Sequence, residues 1–157
     1  MTIPTGQKSR KYNAFDASLE LRASAATAIT TTGADLTSPD YQSAALEVGK
    51  GQTISKVVIR DLAVTLDGAN DSTARFRVIG IDSEDSNAEA VLAELELGDD
   101  AVNGVNADFE LADDMEDVEI IFQNSLYGRI FDKVRLDVVT AGTSISLDFT
   151  AYVCRIA

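Results

Sequence analysis

The segment that decides the fold runs from Thr53 to Leu66 and reads TISKVVIRDLAVTL. It is rich in β-branched residues, which favours a β-strand. Val57 and Ile59 share one parity, whereas Leu62 and the apolar residues after it share the other. Because successive side chains of a strand point to opposite faces, this switch near Asp61 predicts a bulge or a corner between two strands.

Strand patterns continue on the C-terminal side of this segment. DGAND at 67–71 predicts a turn, because Asp-Gly supplies the positive φ that hairpin turns need. ARFRVIGID at 74–82 follows, with Phe76 and Val78 on one face and the two arginines on the other. The pattern therefore predicts a second strand with one buried face.

Six further segments have the length and alternation of strands: 43–49, 90–98, 106–111, 117–124, 132–140 and 144–156. In the second, Val91 is predicted to share a face with Ala93, Leu95 and Leu97; in the fifth, Arg135 and Asp137 are predicted to be exposed. The residues 87–97 favour a helix by composition, but their alternation fits a strand better. About eight strands with frequent turns predict an all-β protein, either a sandwich or a barrel.

An Ala/Thr-rich segment precedes these strands, and nine of the twelve residues from Ala23 to Ala34 are Ala or Thr. Leu19 and Leu21 are predicted to start a strand. Small side chains lose little entropy on ordering, so residues 23–34 are predicted to run extended along a sheet or a neighbouring subunit. The alternative, held equally, is that residues 18–34 form two internal strands of the sandwich.

The chain has 157 residues, which favours one domain. We expect a flexible N-terminal arm at 1–16 and a single β-sandwich domain at 17–157. No apolar run is long enough for a membrane span, and the first residues have no apolar core of a secretory signal. We therefore expect synthesis in a cytoplasm. Cys154 is the only cysteine, and a buried free thiol is the favoured interpretation over an intermolecular disulfide.

Charge is distributed unevenly along the chain. The formal net charge is −13, and between Arg77 and Arg129 there are fifteen acidic residues and no basic one. Such a chain repels phosphate backbones, so we expect no nucleic-acid partner. The one basic cluster is Lys8, Arg10 and Lys11. It is either a contact for an acidic partner or membrane, or a solvated tail, and we expect no membrane partner.

Few kinds of catalysis fit the composition. The chain has no histidine, which excludes Ser-His-Asp and Cys-His catalysis and His-ligated zinc. Asp113 and Asp114 are adjacent, so in a strand they would point to opposite faces. The acidic segments 98–108 and 111–119 could offer oxygen ligands to calcium but match no EF-hand loop, and we favour solvated turns. We expect no enzyme, cofactor or metal, with calcium at the acidic loops left open.

Three segments together resemble a known family. They are FDASLELRASAATAITTTGADL at 15–36, RFRVIGIDSEDSNAEAVLAELELG at 75–98 and DKVRLDVVTAGTSISLDFTAYVCRI at 132–156. Their order and turn pattern are similar to those of the capsid cement, or head decoration, proteins of tailed bacteriophages. The resemblance spans most of residues 14–156 and consists of strand and turn patterns without a chemical signature.

The resemblance implies a jelly-roll-like antiparallel β-sandwich on the outer capsid surface of a virion assembled in the host cytoplasm. It implies binding to the major capsid protein, so as to clamp neighbouring subunits around the DNA-filled head. Self-association as a dimer or trimer at a symmetry axis is also implied, and no active-site residue. Aromatic residues of the N-terminal region, Tyr12, Phe15 and Tyr41, are our candidate capsid or oligomer contacts. The alternative is a receptor- or carbohydrate-binding jelly-roll module of a virion, which the low aromatic content of 6% disfavours.

Overall fold

The computed structural model describes residues 19–23, 26, 28–30, 42–66, 73–98, 109–110, 117–141 and 145–156. Within them the chain forms strands and no α-helix. The strands in chain order are β1 (Glu20–Arg22), β2 (Leu46–Glu47), β3 (Ile54–Leu66), β4 (Thr73–Asp82), β5 (Ala88–Gly98), β6 (Phe109–Glu110), β7 (Val118–Gln123), β8 (Ser125–Leu126), β9 (Arg129–Ile130), β10 (Lys133–Ala141) and β11 (Ile145–Arg155). The described part of the chain has no helix with the length and apolarity that crossing a bilayer requires.

The described strands form two main sheets and one small ribbon. Sheet A has the order β1-β11-β3-β7, sheet B has the order β2-β10-β4-β5-β6, and β8 pairs with β9 alone. Apart from the parallel pair β5–β6, the neighbours are antiparallel. The chain therefore has two packed layers, as the sequence predicts.

The pairing is that of a jelly roll. Eight strands remain when β6, β8 and β9 are set aside. Of these, β1 pairs with β11, β2 with β10, β3 with β7 and β4 with β5, so the chain is folded back on itself at the β4–β5 hairpin. The pairs β11–β3 and β10–β4 then join this folded ribbon into two four-stranded sheets. The prediction of a jelly-roll-like antiparallel sandwich of about eight strands is confirmed.

The core lies between the two sheets and is formed by the apolar side chains that alternate with polar ones along the strands. Strand β4 contributes Ala74, Phe76 and Val78, while its arginines point outward. The rings of Phe76 and Phe149 meet edge to face across the sandwich, with centroids 5.4 Å apart. Further buried members are Leu21, Ile29, Val57, Ile59, Leu62, Leu95, Leu97, Ile120, Phe122, Val134, Leu136, Val138, Leu147, Ala151 and Val153.

The parity switch near Asp61 is a bulge within a single strand. In the β11–β3 register Asp148 opposes Ala63 and Thr150 opposes Arg60, so Asp61 and Leu62 together face one residue, Phe149. Asp61 has a φ of 53°, the left-handed conformation of the extra residue in such a bulge. The bulge brings Leu62 into the core alongside Val57 and Ile59 despite its opposite parity.

A second bulge makes one prediction wrong. Val78 opposes Ala93 and Ile79 opposes Val91, so Leu92 is the extra residue in β5. Because Leu92 packs against the core, the parity reverses there and Val91 points outward and is exposed. Its predicted place beside Ala93 on the buried face is incorrect.

The connection after β3 also differs from prediction. Strands β3 and β4 lie in different sheets, so the chain crosses the sandwich between them and they are not a hairpin. The DGAND segment itself lies outside the described residues.

The described part of the Ala/Thr-rich segment folds back onto the sandwich. Strand β1 pairs with β11, and the amide of Ala26 donates to the carbonyl of Ala23 in a turn. Ile29 then exchanges two backbone hydrogen bonds with Leu147, of 2.8 and 2.9 Å, and is buried in the core. This matches the internal alternative for these residues; residues 31–34 and the predicted arm at 1–16 lie outside the described part.

Candidate functional site

The three contact candidates from the sequence, Tyr12, Phe15 and Tyr41, lie outside the described residues, as do most of the two acidic segments. Cys154 is buried and forms no disulfide, as favoured from the sequence, and burial raises the pKa of its thiol. In the described ranges no three His, Cys, Asp or Glu side chains converge as a metal site would require.

Exposed apolar side chains mark one end of the sandwich. Of the large hydrophobic residues in the described part, those exposed are Ile54, Val91, Ile121, Tyr127, Ile130 and Ile156. Tyr127 and Ile130 belong to the β8–β9 hairpin, and Ile54 begins β3 beside Ile156. We call this the hairpin end; it is formed by residues 49–53, the β4–β5 turn at 83–87 and the hairpin at 125–130.

The hairpin has a tight two-residue turn at Tyr127 and Gly128. Their φ angles are 50° and 80°, and positive φ at both positions is the type I′ turn. Glycine suits this conformation, whereas a bulky aromatic residue there is unusual. The Tyr127 side chain is nevertheless 99% exposed, so packing within the monomer does not explain it.

Asn124 holds the base of the hairpin. It is 0% exposed, and its Oδ1 accepts a hydrogen bond of 2.7 Å from the Thr53 amide. Its Nδ2 donates to the carbonyl oxygens of Gly51 at 2.9 Å and Phe131 at 3.2 Å. One buried amide thus joins the end of β7, the residue that follows the hairpin and the loop that leads into β3.

A cleft of about 500 Å³ lies beside the hairpin, lined by Lys50, Asp82, Glu84, Tyr127, Gly128, Arg129, Ile130 and Asp132. Four of its five charged side chains, all except Asp132, are in ion pairs. Lys50 bonds Glu84, which raises the lysine pKa, and Arg129 Nη2 lies 2.5 Å from Asp85 Oδ2. The cleft therefore presents a rigid mixture of polar and apolar groups with little free charge.

Asp132 links the cleft to the β4–β5 turn. Its two carboxylate oxygens accept hydrogen bonds from Ser83, at 2.5 Å from the hydroxyl and 2.8 Å from the amide. These bonds favour the ionised carboxylate and lower its pKa below the ordinary value of 3.8. The turn is thereby fixed on one wall of the cleft.

The outer face of sheet B carries a ladder of arginines and carboxylates. Asp137, predicted to be exposed, is only 2% exposed because Arg135 clamps it with bonds of 2.6 and 3.0 Å. Arg135 also binds Glu89 at 2.9 and 3.1 Å, and its bond to Asp137 raises the arginine pKa. Arg75 and Arg77 pair with glutamates of β5.

These pairs account for the acidic run in the described part of the chain. Eight of its fifteen acids have described side chains, and each of the eight lies in an ion pair: Asp82, Glu84, Asp85, Glu89, Glu94, Glu96, Asp117 and Glu119. Pairing with arginines and lysines from outside the run thus offsets the charge of these eight acids.

The β8–β9 hairpin is absent from the sequence-based prediction. Its segment SLYGRI offers only one turn signal, Gly128, without the Asn or Asp that usually precedes it. Each strand is also only two residues long. The Tyr-Gly pair is a weak signal, but it is the feature of the sequence that could have indicated a turn here.

No protein-family model matches the sequence, and no curated protein matches it. Among solved structures, the chain is similar to the CBM22-1-GH10 modules of endo-1,4-beta-D-xylanase 10B from Clostridium thermocellum, complexed with xylohexaose. The identity is 18% and the TM-score is 0.32. The match covers 71% of this chain but only 19% of that one. A similarity at this level says nothing about what this chain binds.

Proposed function

We propose that this protein is a structural component of a virion that binds the outer surface of a phage capsid. Its partner would be the major capsid protein, and its role would be to clamp neighbouring subunits and stabilise the DNA-filled head. The role needs a rigid body and a docking surface and no catalytic group. The resemblance of three segments to phage cement proteins supports it, together with the geometry of the hairpin end.

The observation that carries the proposal is the exposed Tyr127 on a braced, strained turn. A non-glycine residue in the left-handed region costs about 1–2 kcal/mol, and such strain often accompanies function. Tyrosine is also a common anchor in protein interfaces, since it buries a large area with few rotatable bonds. Tyr127 therefore suits contact with another molecule better than it suits the turn.

The surroundings of Tyr127 fit a docking role. Asn124 and the Ser83–Asp132 bonds hold the loops in place, so little loop entropy would be lost on binding. Ile130 adds apolar area beside the tyrosine, and Arg129 adds a charge that is already paired with Asp85. Such an end can bury a tyrosine anchor without leaving an unpaired charge.

Binding to bare capsids tests the function itself. Capsids assembled from the major capsid protein alone are mixed with the purified chain, pelleted, and assayed for bound protein. We expect saturable binding and a higher temperature of disassembly for decorated capsids than for bare ones. Absence of the chain from the pellet at all concentrations would reject the proposal.

Substitution of the tyrosine tests the docking end. Tyr127→Asn introduces the residue that a type I′ turn prefers, so the melting temperature should be unchanged or higher. Capsid affinity should fall at least about tenfold, the effect of losing a modest anchor. The matched control is Val91→Ser, because Val91 is an exposed aliphatic residue on the outer face of sheet B. This variant should bind capsids with normal affinity. Full affinity of Tyr127→Asn would exclude this end as the docking surface.

A depression on the outer face of sheet B favours a second candidate function, saccharide binding. It is lined by Gln42, Arg77, Ile79, Glu89, Ala90, Val91, Arg135 and Asp137. Fixed planar polar groups around an aliphatic floor can hydrogen-bond sugar hydroxyls. The described lining has no aromatic ring for stacking, which puts this candidate second. Glycan-array binding that Arg77→Ala abolishes, with no capsid binding, would reverse the order.

A further inference from the structure

Strand β7 is the long edge strand of the described sheets. The other edges are short: β1 has three residues, and β2 and β6 have two each. Strand β7 has six residues, VEIIFQ, and pairs with β3 without a register shift. Sheet edges are usually protected by shortness, charged side chains, proline or a bulge. Strand β7 has no bulge, proline or lysine, and its one charge, Glu119, is paired with Lys56 of β3. A regular edge of this length favours pairing with another strand.

The hydrogen bonds of β7 show which residues face that edge. The amide of Asn124 donates to the carbonyl of Thr53, at 3.2 Å, so position 124 is directed toward β3. In an antiparallel pair, bonding alternates from residue to residue. Glu119, Ile121 and Gln123 therefore direct their backbone N–H and C=O groups away from β3, toward the edge.

We infer that β7 is a self-association edge, at which two copies of this chain pair antiparallel about a two-fold axis through Ile121. This register is unique in pairing all three outward-directed residues. Ile121 opposes Ile121 of the partner subunit, and Glu119 opposes Gln123 of the partner subunit. The two copies of sheet A become one continuous sheet.

The side chains agree with this register. Ile121, which is 63% exposed, meets its own copy on the outer face, where β-branched pairs pack well. Glu119 meets a neutral glutamine and keeps its ion pair with Lys56. A register centred on Glu119 would instead put two like charges opposite each other and leave Gln123 unpaired. Pairing about a two-fold axis uses the same edge on both copies and closes at two, so the structure assigns a dimer, not a trimer.

This inference does not depend on the proposed function, because it concerns the isolated chain. Sedimentation equilibrium over a wide concentration range is the first test. We expect a reversible dimer for the wild-type protein and for Val91→Lys, the control with a lysine on the other sheet. Ile121→Lys places two ammonium groups on the axis and should weaken dimerisation at least about tenfold. A wild-type monomer throughout, or an undiminished dimer of folded Ile121→Lys, would overturn the inference.

Disulfide trapping tests the register. In a Cys154→Ala background, Ile121→Cys should cross-link with its copy, because directly opposed hydrogen-bonded residues have Cα atoms about 5.5 Å apart, within disulfide range. Glu119→Cys alone should stay uncross-linked, whereas Glu119→Cys combined with Gln123→Cys should cross-link. Efficient trapping of Glu119→Cys alone, or none of Ile121→Cys, would reject this register.

Discussion

At the residue scale, Asn124 shows how one buried side chain can organise a whole end of a sandwich. Its amide group satisfies one backbone donor and one carbonyl in the loop at 49–53, and the carbonyl of Phe131 after the hairpin. Buried polar groups of this kind cost little while paired and much when a partner is removed. A side chain that contributes nothing to the apolar core therefore controls the loops next to the candidate docking residue.

Removal of this amide should destabilise the protein strongly. Asn124→Ala leaves the buried Thr53 amide without its acceptor, and we expect a loss of about 2–4 kcal/mol in the free energy of unfolding. Asn124→Asp keeps that acceptor but loses both donors, and should also be destabilised. Urea denaturation measures both variants. Gln123→Ala, the exposed neighbour, should stay within about 0.5 kcal/mol of wild type, and a similar value for Asn124→Ala would contradict this role.

Asp132 should make the hairpin end sensitive to acid. Its pKa is lowered in the folded state, so its contribution to stability is complete above the ordinary value of 3.8 and is lost as pH falls from there through the folded-state pKa. Asp132→Asn cannot titrate, so its stability deficit relative to wild type should shrink below pH 3.8. Denaturation curves at pH 6 and pH 3 measure this. A deficit that stays constant over this range would show that the Ser83 bonds do not favour the carboxylate.

At the scale of elements, the strands were predictable where alternation is uninterrupted. Strand β4 has the predicted faces from Ala74 to Val78 because its arginines and apolar residues alternate without a break there. The Asp61 bulge was visible because it changes the parity of the apolar residues around it. The Leu92 bulge could not be predicted. Apolar residues flank Leu92 on both sides, so the alternation of the sequence shows no interruption there.

Asp137 and the β8–β9 hairpin required information that lies outside the local pattern. Asp137 is buried because Arg135, two residues away in β10, is itself held by Glu89 of β5. The hairpin depends on Asn124 and its contacts with residues 49–53 more than on its own turn sequence. Contacts between segments that are distant in sequence determine both features, so local sequence patterns could not predict them.

The bulge in β3 gives a prediction at this scale. Asp61 has a positive φ, and a β-branched residue there would be strained, so Asp61→Val should cost about 1–2 kcal/mol. Asp61→Gly should stay near wild type, since glycine tolerates the conformation but loses more entropy on folding. Ala63→Val introduces the same residue at an exposed position of the same strand and should change stability little. Equal urea midpoints for Asp61→Val and Ala63→Val would argue against a strained bulge.

At the scale of the whole molecule, the jelly roll gives the protein two different ends. The hairpin end has tied loops and exposed apolar groups. At the other end β5 finishes at Gly98, and β6 pairs beside it with Leu97 and Gly98. The seven acids of the run that lie outside the described ion pairs are in the segment 99–116, which follows β5 in the sequence. The strand order alone therefore separates the tied loops and exposed apolar groups at one end from the acidic segment that follows β5 at the other.

This separation predicts that the acids of 99–116 are dispensable for capsid binding. Asp99→Asn, Asp100→Asn, Asp113→Asn and Asp114→Asn together change the formal net charge from −13 to −9, because four negative charges are removed. Pelleting with bare capsids should give an affinity within about twofold of wild type, since none of the four belongs to the hairpin end. Decorated particles should instead aggregate more readily at low ionic strength, because electrostatic repulsion between their surfaces is reduced.

The comparison variant is Asp85→Asn, which removes one acid at the hairpin end and takes one ion-pair partner from Arg129. It should alter the capsid affinity although it changes the net charge by only one unit. If the fourfold variant lost binding while Asp85→Asn kept it, the acidic end would be the one that faces the shell.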